Sequence, residues 1–176
     1  HEFLAAHSEG LICTSGCMSA EIPRLIQNER IEEAAKRLDW YYAVFGPDRF
    51  YLELQDHDIP ELANINQILL DLGRRYEASF VATNDVHYIN EEDARYQDIM
   101  LAVQTGCVLS DPKRMRMTDN TYYLRSPEEM SRLFSEIPSA LSNSRLIAER
   151  CNVDLSFKGY HLPEFTVPEG HTADTY

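Results

Sequence analysis

Short apolar runs alternate with longer helical patterns over the first two thirds of the chain. Three segments are compact apolar runs or alternate apolar with polar side chains, which predicts strands: residues 10–15, 50–55 and 80–82. Four segments repeat apolar side chains every three or four positions, which predicts helices: residues around 22–26, about 30–45, about 60–76 and about 91–104. Each predicted strand is therefore followed by helix.

This order, with about thirty residues per unit, is typical of a parallel α/β sheet. Three strands are too few to close a barrel, which in its eightfold form takes about 250 residues, so the sheet is either open or part of something larger. Later the pattern changes. Residues 122–124 are a short strand or simply extended, and Ser126 with Pro127 has the pattern of a helix start. Pro138 is expected to end that helix, and a last helix is expected over about 139–151 before an irregular tail.

Polar side chains follow each predicted strand at its carboxyl end. Cys17 follows the first strand, Asp56 and His57 the second, and Asp85 and His87 the third. The carboxyl ends of parallel strands share one edge, where ligands bind in open sheets and in barrels. If the segment is extended, the side chains of Asp85 and His87 point the same way. They form either a metal-binding or acid–base pair, or an ordinary hydrogen-bonded loop pair.

Each of these positions also has a purely structural interpretation. Cys17 is either a site residue or a small buried side chain behind a strand. For Asp56 and His57 a ligand role stays open, but a supporting role behind the ligands or a place at the surface is preferred. Glu53, inside the alternating strand, either supports the site or faces the helices.

Composition and charge narrow the classes of function. The chain has 176 residues, 44% of them hydrophobic, which predicts a globular domain with a core. Its 16 Lys and Arg against 29 Asp and Glu give a net charge of −13, which disfavours binding nucleic acid through its phosphates. The basic cluster at residues 113–116 is expected to be a solvated turn. No membrane-spanning run and no basic-then-apolar leader is found, so a cytoplasmic protein with reduced cysteines is expected.

Several separated segments resemble the alpha-subunit family of bacterial DNA polymerase III, and in particular the later part of its polymerase-and-histidinol-phosphatase (PHP) domain. In chain order they are LICTSGCMSAEIP (11–23), FGPDRFYLELQDH (45–57), FVATNDVHY (80–88), QTG (104–106) and YLRSPEEM (123–130). AERCNVDL (148–155) and LPEF (162–165) are similar to the connection that enters the polymerase palm. The resemblance covers essentially the whole chain.

The resemblance implies a distorted seven-stranded β/α barrel with divalent metal ions at the carboxyl ends of its strands. The family's ligands in the Gly-Cys and Asn-Asp-x-His motifs fall on Cys17, Asp85 and His87. Zn²⁺ suits such a set, and Mn²⁺ or Mg²⁺ favours the carboxylate with further oxygen ligands. The family's other ligands come from an upstream His-x-His motif and further residues, and this chain contains no His-x-His. No complete catalytic set is expected here, and the chain alone is expected to be inactive.

The resemblance also implies a domain order and a set of partners. Residues 1–110 are expected to be the later β/α units of the PHP barrel, 111–157 a helical connecting segment, and 158–176 an irregular linker toward a palm domain. The parent is expected to be a DNA-directed DNA polymerase. It would act on primer–template DNA and nucleotides through other domains, with other subunits of the polymerase III holoenzyme.

Two functions remain open for the PHP region. It either hydrolyses phosphodiesters with its metals and removes mispaired 3′ nucleotides as a 3′–5′ exonuclease, or it braces the polymerase and docks a separate proofreading exonuclease. The second is serious because some family members have lost the ligands. A free-standing PHP phosphatase is disfavoured, because residues 104–165 match polymerase sequence that such enzymes lack.

Overall fold

Three parallel strands form the centre of the structure. The computed structural model describes residues 1–117, 119–156, 159 and 165–176. The strands adjoin in chain order, and they are β1 (Cys13–Thr14), β2 (Phe50–Gln55) and β3 (Ser79–Thr83). Cys13 pairs with Phe50 and Leu52 with Phe80, both in parallel register. The predicted α/β architecture with a parallel sheet is therefore confirmed.

Helices separate the strands as the periodicity predicts. Those of the described residues are α1 (Glu2–Ala6), α2 (Glu21–Gln27), α3 (Ile31–Phe45), α4 (Pro60–Tyr76), α5 (Ala94–Thr105), α6 (Pro127–Leu133) and α7 (Pro138–Arg150). The predicted helix at 91–104 begins instead with a 3₁₀ turn, Glu91–Asp93, before α5. Asn90 caps this turn with a reciprocal hydrogen-bonded pair to Asp93, which accounts for the tighter start.

The core lies on one face of β2. Phe50, Leu52 and Leu54 are fully buried there, and alternation places all three on the same side of the strand. Helices α2, α3 and α4 supply most of the other fully buried side chains of the cluster, among them Ile22, Ile26, Leu38, Ile65 and Leu69. Burial of each such side chain contributes about 1.5–3 kcal/mol.

Helix α7 covers the edge of the sheet at β3. The Asn143 side-chain amide donates a hydrogen bond to the Phe80 carbonyl oxygen at 2.8 Å. At the end of the same helix, Arg150 donates to the Tyr51 hydroxyl at 3.0 Å and to the Asp48 carbonyl oxygen at 2.6 Å. Because an edge strand leaves backbone groups unpaired, α7 satisfies part of this edge from within the chain.

Two expectations about the elements change. Strand β1 is shorter than the predicted 10–15, because only two of its residues are in register with β2, although the Ser15 amide still donates to the Tyr51 carbonyl at 2.9 Å. Helix α6 already ends at Leu133, and Pro138 begins α7 instead of ending α6. A proline is well placed there, because the N–H groups of the first helical turn have no acceptor within the helix and the lack of one costs no hydrogen bond.

At residues 113–116, three residues are exposed as expected of a solvated turn, but the expectation is wrong for Arg114. Its side chain is only 3% exposed, and the guanidinium forms a two-pronged ion pair with Asp98 of α5. Its other hydrogen bonds go to the carbonyl oxygens of Leu109 and Met115, at 3.1 and 3.3 Å. The planar guanidinium can bind a carboxylate and carbonyls at once, so burial does not leave it unpaired.

The remaining outcomes concern the membrane, the cysteines and the tail. No helix among the described residues is long and apolar enough to cross a membrane. The four cysteines form no disulfide. Part of the predicted linker, with the segment at 162–164, lies outside the described residues, and residues 165–176 contain neither helix nor strand.

Candidate metal site

A cavity of about 520 Å³ lies at the carboxyl ends of the strands. Cys17, Asp85 and His87 all line it, and so does His57. Side chains that follow three different strands therefore surround one cavity, as the strand order predicted. Among the described residues, no three Cys, His, Asp or Glu side chains lie close enough together to hold a metal ion. Metal binding by these residues stays a prediction.

The backbone of Asp85 fixes the ring of His87. Asp85 has a φ of 43°, in the left-handed region, so the expectation of an extended segment is wrong at this position. Aspartate adopts this conformation more readily than most residues. The Asp85 carbonyl oxygen lies 2.6 Å from His87 Nδ1. A carbonyl only accepts, so Nδ1 carries the proton, and in the neutral ring Nε2 keeps its lone pair, as a metal ligand requires.

Hydrogen bonds from Asn84 connect the end of β3 to the loop at residues 119–123. Its buried side-chain amide donates to the carbonyl oxygens of Thr121 and Tyr123 at 2.8 and 2.7 Å. The His87 amide donates to the Tyr122 carbonyl at 2.8 Å. Tyr88 and Tyr123 form a single parallel bridge, so the stretch 122–124 is extended with one bridge and is not a full strand. The Asn-Asp-x-His motif thus also organises the loop at 119–123.

The same loop orients His57, which is 9% exposed. His57 Nδ1 lies 2.7 Å from the Thr121 hydroxyl oxygen, and that hydroxyl is also hydrogen-bonded to the Asp119 carboxylate. Since an ionised carboxylate only accepts, Thr121 donates to Asp119 and accepts from His57 Nδ1–H. His57 Nε2 is buried with no hydrogen-bond partner among the described residues. Burial lowers the pKa of His57 below its ordinary value, which favours the neutral ring.

Tyr122 lies between the two imidazoles. Its ring stacks on His57 at a centroid distance of 4.1 Å and meets the edge of His87 at 5.6 Å and 90°. The roles of Thr121 and Tyr122 were missed from the sequence. Their segment has no periodicity and no motif that points to the site, and Thr121 is 64 positions from His57.

Glu53 joins the three strands. One carboxylate oxygen accepts from the Thr14 hydroxyl at 2.6 Å, and the other accepts from Thr83 at 2.6 Å and Gln55 at 2.8 Å. These partners come from β1, β2 and β3, so the carboxylate links the strands beside the cavity. The predicted supporting role for Glu53 agrees with these contacts and stays a prediction.

Comparison with known proteins shows what the chain is similar to. A PHP domain is matched over residues 1–57. DNA polymerase III subunit alpha of Thermus aquaticus is 40% identical over 181 residues, which cover 99% of this chain and 15% of that protein. The same subunit of Borreliella burgdorferi is 44% identical over 166 residues, which cover 94% of this chain and 14% of that protein. This chain is homologous to DNA polymerase III subunit alpha.

The chain spans about 15% of the length of the DNA polymerase III alpha subunits that it matches. Cys17 lies inside the matched PHP domain, whereas Asp85 and His87 lie beyond it, in sequence that the alpha subunits also cover. The three parallel strands with their helices are consistent with part of a PHP-type barrel.

Proposed function

We propose that this chain is a segment of a bacterial replicative DNA polymerase III alpha subunit and contributes ligands to its PHP metal site. The observation that carries the proposal is the shared cavity of Cys17, Asp85 and His87, with His87 Nε2 left as an acceptor. The intact subunit is a DNA-directed DNA polymerase, a nucleotidyltransferase of the bacterial cytoplasm. It acts on primer–template DNA and nucleotides through other domains and works with the other holoenzyme subunits.

The donors fit a divalent metal ion in kind. Cys17 offers a thiolate, Asp85 a carboxylate and His87 an imidazole nitrogen, a set that suits Zn²⁺, while Mn²⁺ or Mg²⁺ would rely on the carboxylate and further oxygens. A bound ion supplies an activated water for attack on a phosphodiester. His87 is oriented for this by the Asp85 carbonyl, and Asn84 keeps the neighbouring loop in place. We infer that the intact PHP region hydrolyses phosphodiesters and removes mispaired 3′ nucleotides.

A catalytic cluster needs more donors than this segment supplies. Three side chains cannot hold several ions in a fixed geometry with an open position for water. The segment alone is therefore expected to bind metal weakly and to leave DNA intact. As part of the same proposal, residues 1–110 are the later β/α units of the PHP barrel, 111–157 a helical connection, and 158–176 a linker toward the palm.

A bracing role is the alternative, and one observation favours it. The hydrogen bonds from Asn84 to the carbonyls of Thr121 and Tyr123 already join strand end and loop without a metal. In that case the region stabilises the polymerase and docks a separate proofreading exonuclease. A free-standing phosphatase is less favoured, because the alpha-subunit match covers 99% of the chain and extends well beyond the PHP domain.

The deciding experiment uses the intact alpha subunit free of any other exonuclease. A 3′-mispaired primer is incubated with Mn²⁺ or Zn²⁺, without nucleotides, and primer shortening is followed for the wild type and for Asp85→Asn. Asp58→Asn, at an exposed position three residues after the end of β2, is the matched control. The proposal expects that Asp85→Asn loses shortening and keeps primer extension, while the control keeps both.

Two other outcomes speak against catalysis. Shortening that survives Asp85→Asn would assign the activity to another site. No shortening in the wild type, together with a fall in melting temperature when a chelator removes metal, would favour the bracing role.

A further inference from the structure

His57 is the buried polar group of the cavity that the three proposed ligands leave unexplained. The residue is 9% exposed, and its Nε2 has no hydrogen-bond partner among the described residues. Buried acceptors in folded proteins are nearly always paired, and an unpaired one is unfavourable. The ring lines the cavity, but Nε2 itself has almost no exposed surface, so a partner reaches it only after neighbouring side chains move.

We propose that His57 is a direct metal ligand, binding a divalent ion through Nε2 in the cavity it shares with Cys17, Asp85 and His87. The inference rests on the proposed metal site and adds a fourth donor to it. It differs from the preference drawn from the sequence, which left a ligand role for His57 open but favoured a supporting or surface role. The ion expected is of the Zn²⁺ class, since imidazole and thiolate donors suit it.

The hydrogen bonds behind His57 are those that a ligating histidine needs. Ligating histidines commonly donate their second N–H to a carboxylate, a carbonyl or a water, which fixes the tautomer and the ring orientation. Here Nδ1 donates to the Thr121 hydroxyl at 2.7 Å, and the Thr121 hydroxyl in turn donates to the Asp119 carboxylate. Nδ1 is thereby committed as a donor, and Nε2 is left as the electron-pair donor.

His87 has the matching arrangement on the other side of Tyr122. Its Nδ1 donates to the Asp85 carbonyl, so its Nε2 is the free nitrogen as well. The Tyr122 ring contacts both imidazoles, stacked on His57 and edge-on to His87. Two histidines, each held through Nδ1, line one cavity, and a shared cation accounts for both arrangements at once.

The other donors of the cavity favour a cation over a hydrogen-bonding ligand. Cys17 and Asp85 would bind as anions, and each Nε2 would donate a lone pair. One hydrogen-bond donor cannot satisfy four such electron-pair donors. A metal ion can be shared among them. The donors are not yet within bonding distance as a set of three in the described structure, so binding is expected to draw their side chains inward.

The test measures metal binding by the intact alpha subunit, with Zn²⁺ as the probe. Zn²⁺ affinity is obtained by competition with a chromogenic chelator for the wild type, His57→Ala and Thr121→Val. Cys17→Ser reports on the proposed site itself, and His7→Ala, at an exposed histidine directly after the short helix α1, is the matched control. X-ray absorption at the Zn edge counts the bound imidazoles in each protein.

The expected results separate this inference from the proposed function. Loss of the supporting hydroxyl in Thr121→Val should weaken Zn²⁺ binding by roughly 10-fold. Loss of the ligand itself in His57→Ala should weaken binding more than that, and His7→Ala should bind as the wild type does. His57→Ala should also show one imidazole fewer at the metal, which a merely structural role would not produce.

Other results overturn the inference in distinguishable ways. If Cys17→Ser weakens binding but His57→Ala does not, the metal site stands and His57 is not part of it. If the wild type binds no Zn²⁺, the proposed function fails together with the inference. Should His57→Ala lose its circular-dichroism signature of folding, His57→Gln replaces it, and an unchanged imidazole count in that variant would reject a ligand role.

Discussion

Left-handed backbone at residues other than glycine marks the ends of elements in this chain. Glu29 follows α2, Glu77 ends α4 and Asp85 follows β3, with φ values of 59°, 49° and 43°. At Asp85 the conformation serves the contact with His87. At Glu77 it closes a helix, and the Glu77 amide donates to the Gly73 carbonyl. A glycine would adopt this position without the steric conflict between Cβ and the backbone.

Glu77→Gly is therefore expected to stabilise the chain. Relief of left-handed strain gives about 1–2 kcal/mol, and the extra freedom of glycine in the unfolded state costs about 0.5–1 kcal/mol, so a net gain of about 0.5–1 kcal/mol is expected. Urea unfolding measures the difference. Lys36→Gly, at an exposed site inside α3, should instead lose about 1 kcal/mol. Equal losses in both variants would contradict the assignment of strain to Glu77.

The Asp98–Arg114 pair gives stability a specific pH dependence. The hydrogen bond from Arg114 holds the pKa of the Asp98 carboxyl below its ordinary value of 3.8. A carboxyl whose folded pKa is depressed contributes stability above the unfolded pKa and loses it as pH falls through the folded pKa. We expect Asp98→Asn to be less stable than the wild type between pH 5 and 7, and the difference to shrink below about pH 4.

Urea unfolding at a series of pH values from about 3 to 7 tests this expectation. Asp174→Asn, at an exposed position of the irregular tail, is the control and should follow the wild type. A stability difference for Asp98→Asn that stays constant down to pH 3 would show that the ion pair does not titrate with folding.

At the same scale, residue type and position predicted which residues line the cavity, but not their backbone conformations or hydrogen-bond partners. Cys17, Asp85 and His87 follow strand ends, and the geometry of parallel strands sufficed to bring them to one cavity. The left-handed turn at Asp85 and the bond from His57 to Thr121 could not be read in this way. The first is one of several conformations open to aspartate, and the second joins residues 64 positions apart across a segment with no periodicity.

Among the elements, α4 packs tightly against the sheet at Gly73. A Cβ added there would collide with the Phe80 ring and lie 3.1 Å from a methyl group of Leu52. Gly73→Ala gains about 1 kcal/mol of helix propensity and loses roughly 1–3 kcal/mol to overpacking, so we expect a net loss of about 1 kcal/mol. Chemical denaturation of Gly73→Ala, Phe80→Leu and the double variant forms the measurement.

The double variant decides whether the collision is the cause. A smaller side chain at position 80 makes room for the new methyl, so the two changes together should cost at least about 0.5 kcal/mol less than their sum. Additive losses would mean that α4 shifts as a whole and that Phe80 is not the limiting contact.

The elements themselves were largely predictable, and the exceptions have local causes. Helices α3 and α4 begin and end close to the predicted positions, because a long apolar stripe and clear stop signals agree. Pro138 was misjudged because the same residue that ends one helix can begin the next. The burial of Arg114 depends on Asp98, sixteen positions earlier, and nothing in a basic tetrapeptide indicates its partner.

For the whole molecule, net charge governs contact with nucleic acid. With −13 charges, the long-range field repels phosphate, and salt screens this repulsion. The isolated chain is expected to bind duplex DNA no more tightly than about micromolar in physiological salt. A filter-binding titration at several salt concentrations is the check. Tighter binding that falls steeply with added salt would reveal a basic surface that the composition hides.

The cover that α7 gives to β3 has a consequence for the nascent chain. Asn143 reaches the Phe80 carbonyl across 63 positions of sequence. At about 5–20 residues per second, a ribosome needs roughly 3–13 s to add them. During that interval the strand Ser79–Thr83 has already been synthesised, but α7 is not yet complete and cannot pack against it. An uncovered edge strand can pair with a neighbouring chain, so synthesis on crowded polysomes is expected to expose this segment to aggregation until α7 has formed.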